Sequence, residues 1–378
     1  MKDTNCKGLN LTLNTNLLGK ILKKKRPIEL HERLSLTITQ AMYLLGVSAK
    51  TYKSITDKNR ETDVAPSYSL LIRLLSKHQD LNVIPPKITM TEFAEFLYKK
   101  TGVIPRDHAA IMLGQTKTYY FKAIKSKEQD LPPAPMSPVA ANLARMYMAK
   151  IEREGYEALD EIRKTVEIEA ESRGFALPAT IWRNGQWPRN IRGREPRHQV
   201  VNTNNKPIVS KDIEILLKYR MNMDLLPDCA HLFGSDPNAM ITVLTKNTKP
   251  LELSATHALI TRFMMENKDW YNPLIPKLKP DDIFDIFKRH GISPSDADLL
   301  LGIKPNSVEQ MLRIGKVTPI ISRLAFFIER GLSTQKHFLE SYKEIINEEA
   351  MAFGLEHNQI FKDGKWPRIK KKLRVYFP

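Results

Sequence analysis

Apolar positions fall at three- and four-residue intervals over most of the chain, and Pro, Gly and Ser/Thr cut the pattern into short segments. Two-residue alternation is scarce, so the period predicts helix almost throughout. Four segments share one template: AMYLLGVSAKTYKSI (41–55), AAIMLGQTKTYYFKA (109–123), CAHLFGSDPNAMITV (229–243) and ADLLLGIKPNSVEQM (297–311). In each, an apolar helical turn ends in a glycine: Gly46, Gly114, Gly234 and Gly302. Two positions later a small or polar residue opens a second helix: Ser48, Thr116, Asp236 and Lys304. Apolar residues then stand six and nine positions past the glycine, at Tyr52 and Ile55, Tyr120 and Ala123, Met240 and Val243, and Val308 and Met311.

The template describes two close helices joined by a tight reversal. Glycine accepts the left-handed backbone that the reversal needs. A Ser, Thr or Asp oxygen can cap the second helix. The two apolar positions share a face and pack back on the first helix, which leaves the intervening positions outward. Each copy leads into a further apolar helix, at 65–75, 136–148, 253–265 and 317–328. Pro66, Pro138 and Pro319 suit a first helical turn, and Ser137, Ser254 and Thr318 precede it as N-caps. Arg73, Arg145 and Arg262 recur at one equivalent position, while the fourth copy carries its arginine at 323.

A longer similarity links PPKITMTEFAEFLYKKTGVIPRDHAAIMLG (85–114) to IPKLKPDDIFDIFKRHGISPSDADLLLG (275–302). A second links IWRNGQWPR (181–189) to IFKDGKWPR (360–368). Together they divide the chain into a basic arm (1–29), a first half (30–200), a polar linker (201–210) and a second half (211–378). The expected fold is all-α, in two duplicated halves. Each half holds two helix-turn-helix-like units, a long helix and a short C-terminal β-hairpin. The hairpins are predicted from Asn184-Gly185 and Asp363-Gly364, which suit a two-residue turn with positive φ. That register pairs Trp182 with Trp187, and Phe361 with Trp366, across each hairpin. The aromatic pair is either a clasp that closes its half or, with the basic run behind it, part of a wing on nucleic acid.

Charge adds a partner to this picture. The chain has 59 Lys and Arg against 42 Asp and Glu, a formal net charge of +17. Residues 1–200 hold 33 basic and 21 acidic residues, and 201–378 hold 26 and 21. Such an excess favours a polyanionic partner, and nucleic acid is the commonest. Basic residues concentrate in GKILKKKRPIEL (19–30), in Arg189, Arg192, Arg194 and Arg197, and in Arg368, Lys370, Lys371 and Lys372. The only cysteines are Cys6 and Cys229, far apart, which argues against a disulfide framework or a zinc site. The first residues lack a signal-peptide core, and no stretch approaches the roughly 18 apolar residues of a bilayer span. The expected location is the bacterial cytoplasm or nucleoid, with no membrane partner.

LLGVSAKTYKSI, with the capped helix that follows it, resembles the helix-turn-helix of lambda-repressor/Cro-type (Xre-type) DNA-binding domains. The second copy keeps the glycine, a threonine and the aromatics. The third and fourth depart from the pattern, with Pro237 and Pro305 early in the second helix and few basic residues on it. The resemblance implies that the second helices enter the major groove of double-stranded DNA. The expected contacts are then Ser48, Lys50, Lys53 and Ser54 in the first copy, and Lys117, Thr118 and Lys122 in the second. Asn306 and Gln310 of the fourth can address adenine, and Lys or Arg can address guanine or phosphate. Arg183 and Lys365 join them from the two Gly-Trp phrases, with the basic runs clamping the backbone.

No phosphate-cradling Gly-Lys-Ser/Thr loop, dinucleotide glycine turn or paired-His metal motif is present in the sequence. Neither an enzyme nor a cofactor or metal is expected. The functional expectation is a sequence-specific DNA-binding protein, either a transcriptional regulator or an accessory factor in plasmid or mobile-element transfer, replication or partition. The second half is a candidate surface for a homodimer or a partner protein. The competing readings are a helical-repeat scaffold for protein interactions and an RNA-binding protein that uses the basic straps.

Overall fold

A computed structural model describes residues 36–48, 50–52, 65–102, 104–129, 136–175, 177–187, 208–221, 223, 226–235, 240, 253–267 and 274–367. In chain order the helices are α1 (Ile38–Leu45), α2 (Pro66–Lys77), α3 (Met90–Thr101), α4 (His108–Met112), α5 (Lys117–Glu128) and α6 (Pro138–Glu154). There follow α7 (Tyr156–Ser172), α8 (Thr180–Asn184), α9 (Ser210–Ile215), α10 (Leu226–Leu232) and α11 (Ala255–Glu266). The last are α12 (Pro280–Arg289), α13 (Pro294–Leu300), α14 (Ser307–Ile314), α15 (Pro319–Thr334), α16 (Phe338–Ala352) and α17 (Gln359–Asp363). The described residues contain no β-strand, so the all-α class is correct. No helix among them is long and apolar enough to cross a membrane.

Local sequence explains most helix starts. Ser137 and Ser254 accept the Ala140 and His257 amides ahead of α6 and α11, as their N-cap positions predict. Thr89 and Glu92 form a reciprocal capping box at α3. Thr318 occupies the N-cap position of α15 with no side-chain cap bond.

The two successive halves expected from the sequence are not the compact bodies of this protein. Unit 1 joins residues 1–83 to 275–378 and so combines α1 and α2 with α12–α17. Unit 2 is the continuous stretch 84–274, with α3–α11. The reason is the choice of packing partners. In unit 1, α2 lies against α15 and α16; in unit 2, α11 lies against α6 and α7. The core of unit 2 buries Phe93, Tyr147, Phe233 and Phe263, with the Tyr147 and Phe263 rings edge to face at 5.2 Å. Unit 1 buries Tyr43, Phe327, Phe338 and Tyr342, and the Tyr342 hydroxyl donates to the Leu300 carbonyl at 2.8 Å.

The recurring arginines are structural. Arg262 and Arg173 both donate to the fully buried Glu169 of α7, at 2.7 and 2.6 Å. Arg73 donates in the same way to the fully buried Glu349 of α16, at 2.7 Å. Arg145 reaches the Pro86 carbonyl, and Arg323 the Tyr43 and Ile275 carbonyls.

Both predicted hairpins are absent. Residues 180–184 and 359–363 are the short helices α8 and α17. Gly185 (φ 65°) and Gly364 (φ 61°) end them as left-handed C-caps, with each cap amide bonded to the fourth residue before it, Ile181 or Ile360. Asn-Gly and Asp-Gly supply the positive φ of a helix C-cap as readily as that of a hairpin turn. The preceding Ile-Trp and Ile-Phe pairs prefer helical packing here: Ile181 and Ile360 are fully buried. The basic arm (1–29) and most of the linker (201–210) lie outside the described residues.

Candidate nucleic-acid interface

The four glycine turns have the predicted conformation. Gly46, Gly114, Gly234 and Gly302 all adopt positive φ, between 55° and 71°. Among the described residues expected to pack back on the first helix, Tyr52, Tyr120, Ala123, Met240 and Val308 are buried and Met311 is half-buried.

In the first copy, the Ser48 hydroxyl accepts the Thr51 amide at 3.1 Å, so Ser48 caps the second helix. This gives Ser48 a structural role at the position where DNA contact was expected. Lys50 is exposed at the start of that helix. Lys53 and Ser54 lie outside the described residues.

The second copy is the most complete. Helix α5 buries Tyr120 and Ala123 and exposes Thr118, Phe121, Lys122 and Lys125. Phe121 is 57 % exposed, with its ring edge-to-face on Tyr120 at 5.6 Å. Lys117 differs from expectation. Its ammonium pairs with Asp107 at 2.9 Å, and only about a quarter of its side chain (23 %) is exposed. Gly185 lies against its methylenes, and the Lys117 amide donates to the Gly185 carbonyl at 3.0 Å. Lys117 therefore anchors the start of α5, where amides have no intrahelical acceptor.

The Gly-Trp phrases thus brace the helix-turn-helix units. In the first phrase, the Trp182 indole donates to Glu167 at 2.7 Å, and its ring lies 5.2 Å from that of His108 on α4. In the second, the Trp366 indole donates to the Leu299 carbonyl of α13 at 2.9 Å. Arg183, Lys362 and Lys365 are exposed on these braces. Arg189, Arg192, Arg194, Arg197, Arg368, Lys370, Lys371 and Lys372 lie outside the described residues.

The third copy bears a histidine at its turn. His257 of α11 has Ser254 Oγ 2.7 Å from Nδ1 and Ser235 Oγ 3.1 Å from Nε2, and it stacks flat on Phe233. Burial holds its pKa below the usual 6.5. Protonation is therefore easier in the unfolded chain. The contribution of His257 to stability is full above about pH 6.5 and is lost as pH falls through the lowered folded value. His78 and His108 are shifted the same way, chiefly by burial. Urea midpoints measured from pH 7.5 to 5 should fall, and His257→Asn should flatten the fall. An equal pH dependence in the variant would remove His257 from this account.

The fourth copy starts its second helix late, at Ser307 instead of just after Lys304. Asp298 of α13, a buried carboxylate, accepts the Val308 amide in the first turn of α14 at 2.8 Å. Burial raises the Asp298 pKa, and hydrogen bonds from the Val308, Asn306 and Ser307 amides oppose that rise. Asn306 is exposed in a left-handed N-cap position (φ 62°), outside the helix. Gln310 is exposed beside the exposed Glu309. This face is more acidic at its start and basic at its end, where Arg313 and Lys316 are exposed.

Lys125 and Arg313 were not among the expected contacts. Each stands three residues past an expected one, Lys122 or Gln310, and continuing the helical period beyond the template's end would have included it. No family model, curated protein or solved structure matches the chain.

Proposed function

We propose that the chain is a sequence-specific binder of double-stranded DNA, without catalytic activity, that inserts second helices of its helix-turn-helix units into the major groove. The observation that carries this reading is the outward face of α5. Thr118, Phe121, Lys122 and Lys125 are exposed there while Tyr120 and Ala123 anchor the opposite face. A helix held this way offers base-contacting and phosphate-contacting side chains on one stripe. Lys50 adds a basic side chain at the same place in the first copy, and the net charge of +17 supplies long-range attraction to a polyanion. Transcriptional regulation and accessory roles in plasmid or mobile-element DNA processing both use such binding.

Fluorescence anisotropy of the full chain with labelled duplex, as a function of salt, tests the proposal. With about six phosphate contacts, affinity should fall roughly a thousandfold between 50 and 200 mM salt. Lys122→Ala should weaken all sequences alike and lower the salt slope by about 1. Phe121→Ala should instead change which sequences are selected from a random pool, because an exposed ring in the groove senses thymine methyl groups. Absence of duplex binding at low salt would refute the proposal, and preference for single-stranded RNA would replace it.

A further inference from the structure

The four copies follow one another in tandem along the chain, yet within each compact unit two of them meet face to face. In unit 2 the turn of the second copy abuts the start of the helix that follows the third. A Cβ on Gly114 would lie 2.7 Å from the Ala255 carbonyl carbon, and Gln115 donates to Thr256 Oγ1 at 2.9 Å. The same contact runs in the opposite direction. A Cβ on Gly234 would lie 2.5 Å from Pro138 Cβ, at the start of the helix that follows the second copy. There Asn142 donates to the His231 and Leu232 carbonyls at 2.8 and 3.0 Å.

Unit 1 repeats this exchange with the first and fourth copies. A Cβ on Gly302 would lie 2.7 Å from the Ser67 amide, and Ser67 Oγ donates to the Leu301 carbonyl at 2.8 Å. In return, a Cβ on Gly46 would lie 2.9 Å from Pro319 Cβ, and Arg323 donates to the Tyr43 carbonyl at 3.1 Å. Arg323 and Asn142 occupy the same position of their helices, four residues past the first-turn proline. Both donate to the carbonyl three residues before the opposing turn glycine.

Reciprocal contact, in which the first element touches the second as the second touches the first, is the property of a two-fold arrangement. Head-to-tail stacking of tandem copies gives one-sided contacts instead. We infer that each unit is an internal two-fold pair of helix-turn-helix copies, and that a single chain therefore reads an inverted repeat of two half-sites with each unit. The inference rests on the DNA-binding proposal. DNA half-sites recognised by a two-fold pair are themselves related by a two-fold axis. The half-sites should be unequal, because the paired copies differ in sequence: Thr118, Phe121 and Lys122 in one member of unit 2 correspond in sequence to Asn238, Ile241 and Thr242 in the other.

The test uses the full chain. Selection from random duplexes should return an imperfect inverted repeat. Placing the selected half-sites on one duplex as an inverted repeat should bind at least about tenfold tighter than the same half-sites as a direct repeat, since a misplaced half-site costs at least one mismatched contact. Mass photometry of that complex should show one chain per duplex. Equal or tighter binding to the direct repeat overturns the inference, as does an inverted repeat that requires two chains. Sequence-selective binding to sites without two-fold symmetry overturns it too and leaves DNA recognition standing. No selective duplex binding at all removes the DNA-binding proposal itself.

Discussion

Glu169→Ala should lower the stability of unit 2 by about 3–5 kcal/mol, the cost of removing one partner from a buried ionic group. Glu169 is fully buried on α7, and its two oxygens hold Arg173 and Arg262, with side chains 3 % and 12 % exposed. Without the carboxylate, two guanidinium groups stay in a region of low dielectric with one acceptor fewer each. Arg173 keeps the Leu253 carbonyl, a neutral acceptor for one of its N–H groups that does not offset its charge. Urea denaturation followed by circular dichroism measures the loss. Glu348→Ala is the control: that carboxylate meets Arg73 at 3.2 Å but is 54 % exposed, so its removal should cost at most about 1 kcal/mol. Replacing the trio together, by Glu169→Leu, Arg173→Met and Arg262→Met, should recover much of the stability, because the desolvation cost disappears with the charges. A loss below 1 kcal/mol for Glu169→Ala would show that the arginines find other partners.

Gly114→Ala should also be strongly destabilising. At φ 71° a side chain costs about 1–2 kcal/mol. The added methyl would also press into the Ala255–Thr256 backbone at the start of α11, and overpacking of this kind costs about 1–3 kcal/mol more. Gly102 separates the two effects. Its φ is 67°, and a Cβ there would meet nothing within 4 Å. Gly102→Ala should therefore show the conformational cost alone. The difference between the two variants, read from urea midpoints at constant slope, measures how tightly the second and third copies are pressed together. Equal losses would mean that α11 yields without cost.

The turns themselves were legible from sequence because their requirement is local. A chain reversal between two close helices needs positive φ, and Gly46, Gly114, Gly234 and Gly302 announce it. Ser48, Ser137 and Ser254 were legible for the same reason, since a cap involves only neighbours in sequence. The Gly-Trp phrases were misread because their signal is local but ambiguous. Only the burial of Ile181 and Ile360, set by tertiary packing, decides between hairpin and helix cap. The carboxylate bound at the start of α14, Asp298, lies ten residues before the amide it accepts and on another helix. The partition into units was not legible at all. Arg73 and Arg262 stood out by spacing, but their acceptors Glu349 and Glu169 lie on other helices, at sequence distances no period reveals. Among the expected DNA contacts, Thr118, Lys122, Arg183, Gln310 and Lys365 are exposed, whereas Lys117 and Ser48 are taken up in holding their helices.

The interrupted course of unit 1 bears on how the protein emerges from the ribosome. Unit 2 is continuous, and all its helices are available once residue 274 has been made. Helix α2 is synthesised early, but Ser67 finds its acceptor at Leu301 only 234 residues later. Domains fold as their segments appear, so unit 2 should be formed while α1 and α2 still lack the surface they cover. Closing so long a loop is entropically costly when the intervening chain is free, and prior folding of that segment reduces the cost. Translation stopping before α15 would leave the apolar face of α2 uncovered.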